Sequence, residues 1–224
     1  MIRNGGFVVI TSNHYGDRQL NSDLDAQWIV EHASGAAPLA VRVLVDSAAE
    51  INPVIRLRLD FADQIGAVLM TDDILDDLQS EITAPVPDIQ DEMPDTADPL
   101  FPKALHRYGF TATTRPWRSK LGGIQGRKVK RLCEPGVDAR LFKIRPGAAI
   151  PHHDHYGQEL TLVLQGGFSD EKGVYHRGDV CAGQAGEPHT PIGLAGEPCI
   201  CFAVSLGGYR FRNPLMSIAA RMLI

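Results

Sequence analysis

Apolar positions along the first third of the chain repeat at helical spacing. Trp28, Ile29, Val30 and then His32 run up to Gly35, which suits the residue just past a helix end. Pro38 fits the first turn of a second helix through Val41, Val43, Leu44 and Val45. Asn52-Pro53 has the form of an N-cap followed by N1, and opens a third helix. In it Val54, Leu57, Phe61, Ile65, Val68 and Leu69 follow a period near 3.6. The run from Ile55 to Phe61 also alternates like a strand, but the register continuing past Leu69 decides for helix. Residues 22–79 are predicted to be mostly helical, within a domain spanning 20–79.

The pattern then changes twice. Between Asp72 and Asp98 there are ten acidic residues and no basic one, and Pro85, Pro87, Pro94, Pro99 and Pro102 exclude continuous helix. Residues 80–111 are therefore expected to be an extended acidic linker. Residues 115–131 reverse the sign, with Arg115, Arg118, Lys120, Arg127, Lys128, Lys130 and Arg131 and no acid. A solvated strand pair carrying these charges is the simpler expectation, and docking of the acidic linker or an acidic partner the sharper one.

From about residue 112 short strand-like runs are separated by Gly, Pro and Asp turns, at 139–144, 159–164, 173–175, 179–182 and 198–204. Regular spacing of this kind predicts an all-β sandwich or barrel over 112–224. Both faces of 159–164 are largely apolar. One face would fill the barrel, and the other needs cover from a second sheet, the helices or another subunit. Asn213-Pro214 starts a last segment, 215–223, whose apolar content predicts a short C-terminal helix. The fold class is thus α+β.

Composition narrows the function. A net charge of -5 gives no basic footprint for nucleic acid. No apolar run of membrane-spanning length is present, and the N-terminus lacks the features of a signal peptide. Cys133, Cys181, Cys199 and Cys201 lie in strand-like segments and read as small buried hydrophobes in a reducing compartment, so a cytoplasmic location is expected.

Five of the eight histidines fall between positions 152 and 189. His153 and His155 are two apart, which on a strand turns both rings to one face. Glu159 shares their parity, and His189 is a further candidate. Three imidazoles and a carboxylate suit one divalent transition metal, with zinc, iron, manganese and nickel all compatible. His152, Asp154 and His176 are off-register and are expected in solvated turns, with support of the ligating residues from behind as the alternative.

The spacing is specific. Gly147, five residues, His153, one, His155, three, Glu159, six, Gly166 is followed by Gly178, five, Gln184, one, Gly186, two, His189, three, Gly193. This resembles the two motifs of the cupin superfamily, with departures at Gln184 and Gly193, neither of which removes a candidate ligand. The resemblance implies a single cupin, a jelly-roll β-barrel, with His153, His155, Glu159 and His189 as its ligands. The string from His153 to Glu171, with Gly178-Asp179, His189-Thr-Pro191, Cys199-Ile-Cys201 and Pro116-Trp117, is similar to the cupin domain of ChrR-type anti-sigma factors.

That narrower resemblance covers about 112–212 and implies a regulatory protein. Its helical segment, residues 22–79, would bind an extracytoplasmic-function sigma factor and its cupin would hold zinc. The family's helical domain also carries a second zinc. A gap-free placement puts Asp46, Glu50 and Pro53 at three of those ligand positions and Asp23 near the fourth, so that zinc is expected to be absent. The alternative function is a metal-dependent cupin enzyme, a dioxygenase acting on a small molecule. A homodimer is left open by the sequence.

Overall fold

The computed structural model describes residues 24–69, 100–110, 117–119 and 122–211. The acidic stretch, Asp23 and the segment predicted as a C-terminal helix lie outside the described residues. Three helices come first: α1 (Ala26–Ala33), α2 (Leu39–Ile51) and α3 (Pro53–Leu69). Their boundaries follow local chemistry. Gly35 ends α1 with a left-handed φ of 73°. Asn52 starts α3 as foreseen, its Oδ1 accepting the Val54 and Ile55 amides at 3.0 and 3.3 Å.

α2 is the central helix, burying Val41, Leu44, Val45 and Ala48 completely. Each large aliphatic side chain so buried contributes about 1.5–3 kcal/mol relative to exposure. α3 departs from the sequence pattern in its orientation. It buries Ile55 and Leu59 against the other helices and turns Val54, Leu57, Phe61 and Ile65 outward, 44, 52, 63 and 45% exposed. The helix carries two apolar faces, and the described residues cover only one.

The stretch expected to be linker contains a short helix near its end, α4 (Lys103–His106). The Glu50 carboxylate at the end of α2 accepts the Lys103 and Ala104 amides at 2.8 and 2.9 Å, fixing this helix to α2.

Apart from one 3-10 turn at Lys130–Leu132, the regular structure in the remaining described chain is β: β1 (Arg118–Ser119), β2 (Ile124–Lys128), β3 (Val137–Ile144), β4 (His153–His155), β5 (Glu159–Gln165), β6 (Gly167–Ser169), β7 (Val174–His176), β8 (Val180–Gly183), β9 (Ile192–Gly193), β10 (Cys199–Leu206) and β11 (Tyr209–Phe211). They form a six-stranded sheet in the order β1-β2-β3-β10-β5-β8, a three-stranded sheet β7-β6-β9 and a two-stranded ladder β11-β4. None of these sheets closes, so the barrel expected from the sequence is a set of separate sheets. One cause is Gly166, whose left-handed φ of 60° turns the chain out of β5, and β6 then pairs elsewhere.

The two apolar faces of β5 have separate partners. Leu160, Leu162 and Leu164 join the core made with the helices, while Val163 faces an inner core with Phe142, Phe168 and the three thiols of Cys181, Cys199 and Cys201. The helices are thus the cover that the sequence required. A polar contact pins them: Asn52 Nδ2 donates to Gly178 O at 2.8 Å, in the turn before β8. The basic stretch does include a strand pair, with Arg118 opposite Gly126. Arg127 lies 4.8 Å over the Phe110 ring and Lys128 pairs with Asp138 at 2.7 Å, so these charges have local partners.

Candidate metal centre

β4 is only three residues long, yet it sets two of the four candidate ligands. His153 and His155 stand two apart on it, and their backbone is held on both sides. β11 pairs Tyr209 with His155 and Phe211 with His153. On the other side His153 and His189 exchange backbone hydrogen bonds of 3.1 and 2.9 Å. Glu159 is not on the same strand, as its parity had suggested. A turn through Gly157 intervenes and Glu159 opens β5. All four side chains nevertheless meet, buried, with one ligand atom of each within 4.8 Å of the others. Gly183 backs the site: an added Cβ there would lie 3.3 Å from the His155 ring.

The imidazoles point the same nitrogen inward. His155 Nε2 and His189 Nε2 are 3.2 Å apart, as are His189 Nε2 and His153 Nε2. Outer contacts fix two tautomers. His153 Nδ1–H donates to Pro151 O at 2.9 Å, and His189 Nδ1–H donates to Asp170 Oδ2 at 3.0 Å. Both Nε2 atoms then carry lone pairs that face each other, which is unfavourable unless a cation lies between them. Nitrogens bound tetrahedrally at 2.0–2.1 Å would be about 3.3 Å apart, close to the observed spacing. The donor set fits a divalent transition metal. His155 Nδ1 is buried without a hydrogen-bond partner among the described residues.

Electrostatics point the same way. Burial, the largest influence, pushes the His153 imidazole down to about 4 against the opposing pull of Glu159, and His155 is lowered for the same reason. Both rings are therefore neutral near pH 7, the form that ligates. A stability consequence follows for the metal-free protein. The folded state binds these protons more weakly than the unfolded chain, whose imidazoles titrate near 6.5. The stabilising contribution of His153 is complete above pH 6.5 and is lost as the pH falls toward 4, on the order of 1 kcal/mol per pH unit, and His155 acts in the same direction. Melting of chelator-treated protein should show a midpoint that falls across this window, and a flat profile would contradict it.

The surroundings include residues that sequence spacing did not mark. Tyr209 donates its hydroxyl to Glu159 Oε1 at 2.7 Å, leaving Oε2 directed toward His155 Nε2 at 3.6 Å. Burial, with Glu159 adding to it, raises the Tyr209 phenol well above its ordinary value, so it stays a donor. Asp170 is the partner of His189. Burial pushes its carboxyl up, but the bonds from His189 and from the Lys172 and Gly173 amides prevail and hold it below its usual value. Neither residue sits at a recognisable spacing from the histidines.

Asp154 corrects an expectation. It is buried rather than solvated, and its Oδ1 accepts the His155 amide at 2.8 Å and the Gly186 amide at 2.9 Å, tying the two motif segments together. Arg210 pairs with its other oxygen and holds the carboxyl down at about 2. His152, by contrast, is exposed as expected, and His176 is half-buried. Cys181, Cys199 and Cys201 are buried free thiols, as read, while Cys133 is only half-buried. Cys201 is pushed well up, first by Cys199 beside it and then by burial.

Fold and site together define a cupin-like protein with a helical region ahead of it. Residues 106–207 match the family described as ChrR Cupin-like domain. The likeness extends beyond that region. Over 200 residues the chain is 30% identical to the anti-sigma-E factor ChrR of Cereibacter sphaeroides, covering 83% of this chain and 89% of that protein. The chain belongs to the ChrR-like anti-sigma factor family. Among solved structures, the complex of Rhodobacter sphaeroides SigE with the anti-sigma ChrR is similar at a TM-score of 0.65 and 30% identity, over 84% of this chain and 99% of the matched one.

Proposed function

We propose that this protein is a metal-holding anti-sigma factor acting in the cytoplasm, divided into a helical domain over 20–79, a linker over 80–111 and a cupin domain over 112–224. The observation that carries the proposal is the outward stripe of α3. Val54, Leu57, Phe61 and Ile65 form a continuous apolar face, too regular to be scattered surface residues. It lies in a chain whose similarity to an anti-sigma factor runs through the helices as well as the cupin. A relative assembled with SigE supports a sigma factor as the occupant of that face.

In the cupin, His153, His155, Glu159 and His189 would hold one divalent ion, with zinc suited to three imidazoles and a carboxylate. Bound there, the ion would supply a charge that locks β4, β5 and the His189 segment together. The second zinc implied for the helical domain does not fit. Asp46 is engaged by His32 Nε2 at 2.7 Å, Glu50 caps α4, and Pro53 has no ligand atom. The helices have an apolar core in its place.

The small pocket lined by His153, Glu159 and His189 themselves supports regulation over turnover. It has a volume of about 40 Å³ and walls that are mainly apolar, such as Ile124, Phe142 and Phe168. That is room for a few water molecules and not for a small carbonyl substrate with its catalytic groups. Among the described residues, no helix is long and apolar enough to cross a membrane. The test is co-expression with the extracytoplasmic-function sigma factors of the same organism. A soluble complex with repressed sigma-dependent transcription is expected. No complex and unchanged transcription would reject the proposal.

A further inference from the structure

Asp170 stands between two places that the fold otherwise separates, the imidazole cluster and the groove between the cupin region and the helices. Its side chain is fully buried. Oδ2 receives the His189 Nδ1 proton at 3.0 Å. Oδ1 accepts the amides of Lys172 and Gly173 at 2.9 and 3.1 Å, closing the turn between β6 and β7. Lys172, fixed by that turn, reaches back to Ala182 O at 2.9 Å and Glu187 Oε2 at 2.5 Å. Glu187 is two residues before His189. Lys172, Gln184 and Glu187 wall one side of a groove of about 1520 Å³, and Val30, Phe61 and Ile65 wall the other.

We propose that Asp170 is a positioning residue for the cluster and that the turn it closes carries the cluster's state to the groove. The proposal rests on the metal reading above. A carboxylate on Nδ1–H sets the tautomer and direction of a ligating imidazole and raises its basicity. A cation drawing on Nε2 makes the same Nδ1–H a stronger donor, which tightens its bond to Asp170. The two turn amides share that carboxylate, so they feel the change, and Lys172 presents it at the groove. Coupling of this kind runs both ways: a partner that displaces Lys172 from Glu187 would weaken the hold on His189.

The test uses the full chain, with zinc as the probe. Asp170→Asn keeps an oxygen for the turn amides and removes the charge facing His189. Zinc affinity, measured by competition with a chromophoric chelator, is expected to fall about 10- to 100-fold in the variant. In the wild type, zinc should slow hydrogen exchange of the Lys172 and Gly173 amides several-fold more than it slows the amides of the helical region, an excess that general stabilisation by a bound ion would not give. Unchanged affinity in a folded Asp170→Asn variant overturns the proposal. Exchange at 172–173 that ignores zinc in the loaded wild type also overturns it, and needs no variant. A wild type that takes up no zinc overturns the metal reading beneath it.

Discussion

Phe61→Asp is expected to weaken assembly with a sigma factor by about thirtyfold or more while leaving the free protein folded. Phe61 is 63% exposed on α3, so the new carboxylate stays in water and stability should shift by no more than about 0.5 kcal/mol. An interface changes the balance. There the substitution removes an aromatic anchor and buries an unpaired charge, a loss of about 2 kcal/mol or more, thirtyfold in Kd. Leu57 is one turn away, and Leu57→Asp should act in the same direction. Calorimetric titration with the sigma factor, beside thermal unfolding of the free variant, separates the two effects. Wild-type affinity in Phe61→Asp would remove the stripe from the interface.

The sequence revealed the helices more readily than their orientation. Asn52-Pro53 marked the start of α3 because an Asx cap and a proline at N1 are local chemistry, independent of tertiary context. Which side of α3 turns inward is not local. Ile55 and Leu59 are apolar at helical spacing just as Val54, Leu57, Phe61 and Ile65 are, and only packing against the other helices selects the first set. The missed strands have a similar explanation. β6, β9 and β11 are two or three residues long, too short to display a period.

The candidate site was legible because its residues are tied to short, fixed spacings. His153 and His155 share a face of β4, and both motif segments were visible as glycine-bounded intervals. Their supporting residues were not. Tyr209 reaches Glu159 across 50 positions and Asp170 reaches His189 across 19, contacts that depend on the sheet arrangement. Asp154 was misjudged because its parity pointed it away from the cluster. It does point away, but into the backbone of the second motif segment, where Gly186 donates to it.

His155→Ala should empty the cupin site. The His155 side chain is fully buried, its Nε2 lies 3.2 Å from His189 Nε2 and 3.6 Å from Glu159 Oε2, and Gly183 leaves no side chain to replace it. Losing an outer-shell contact alone costs about 10- to 100-fold in metal affinity. Loss of a ligand should therefore exceed about 100-fold, enough for the ion to be lost during purification. The most direct test is elemental analysis of the full-length protein after metal-replete expression, wild type beside His155→Ala. One zinc per wild-type chain, none of it in the helical domain, and almost none in the variant is the expected result. Unchanged metal content in His155→Ala, or a wild-type chain with two zinc ions or no transition metal, would contradict it.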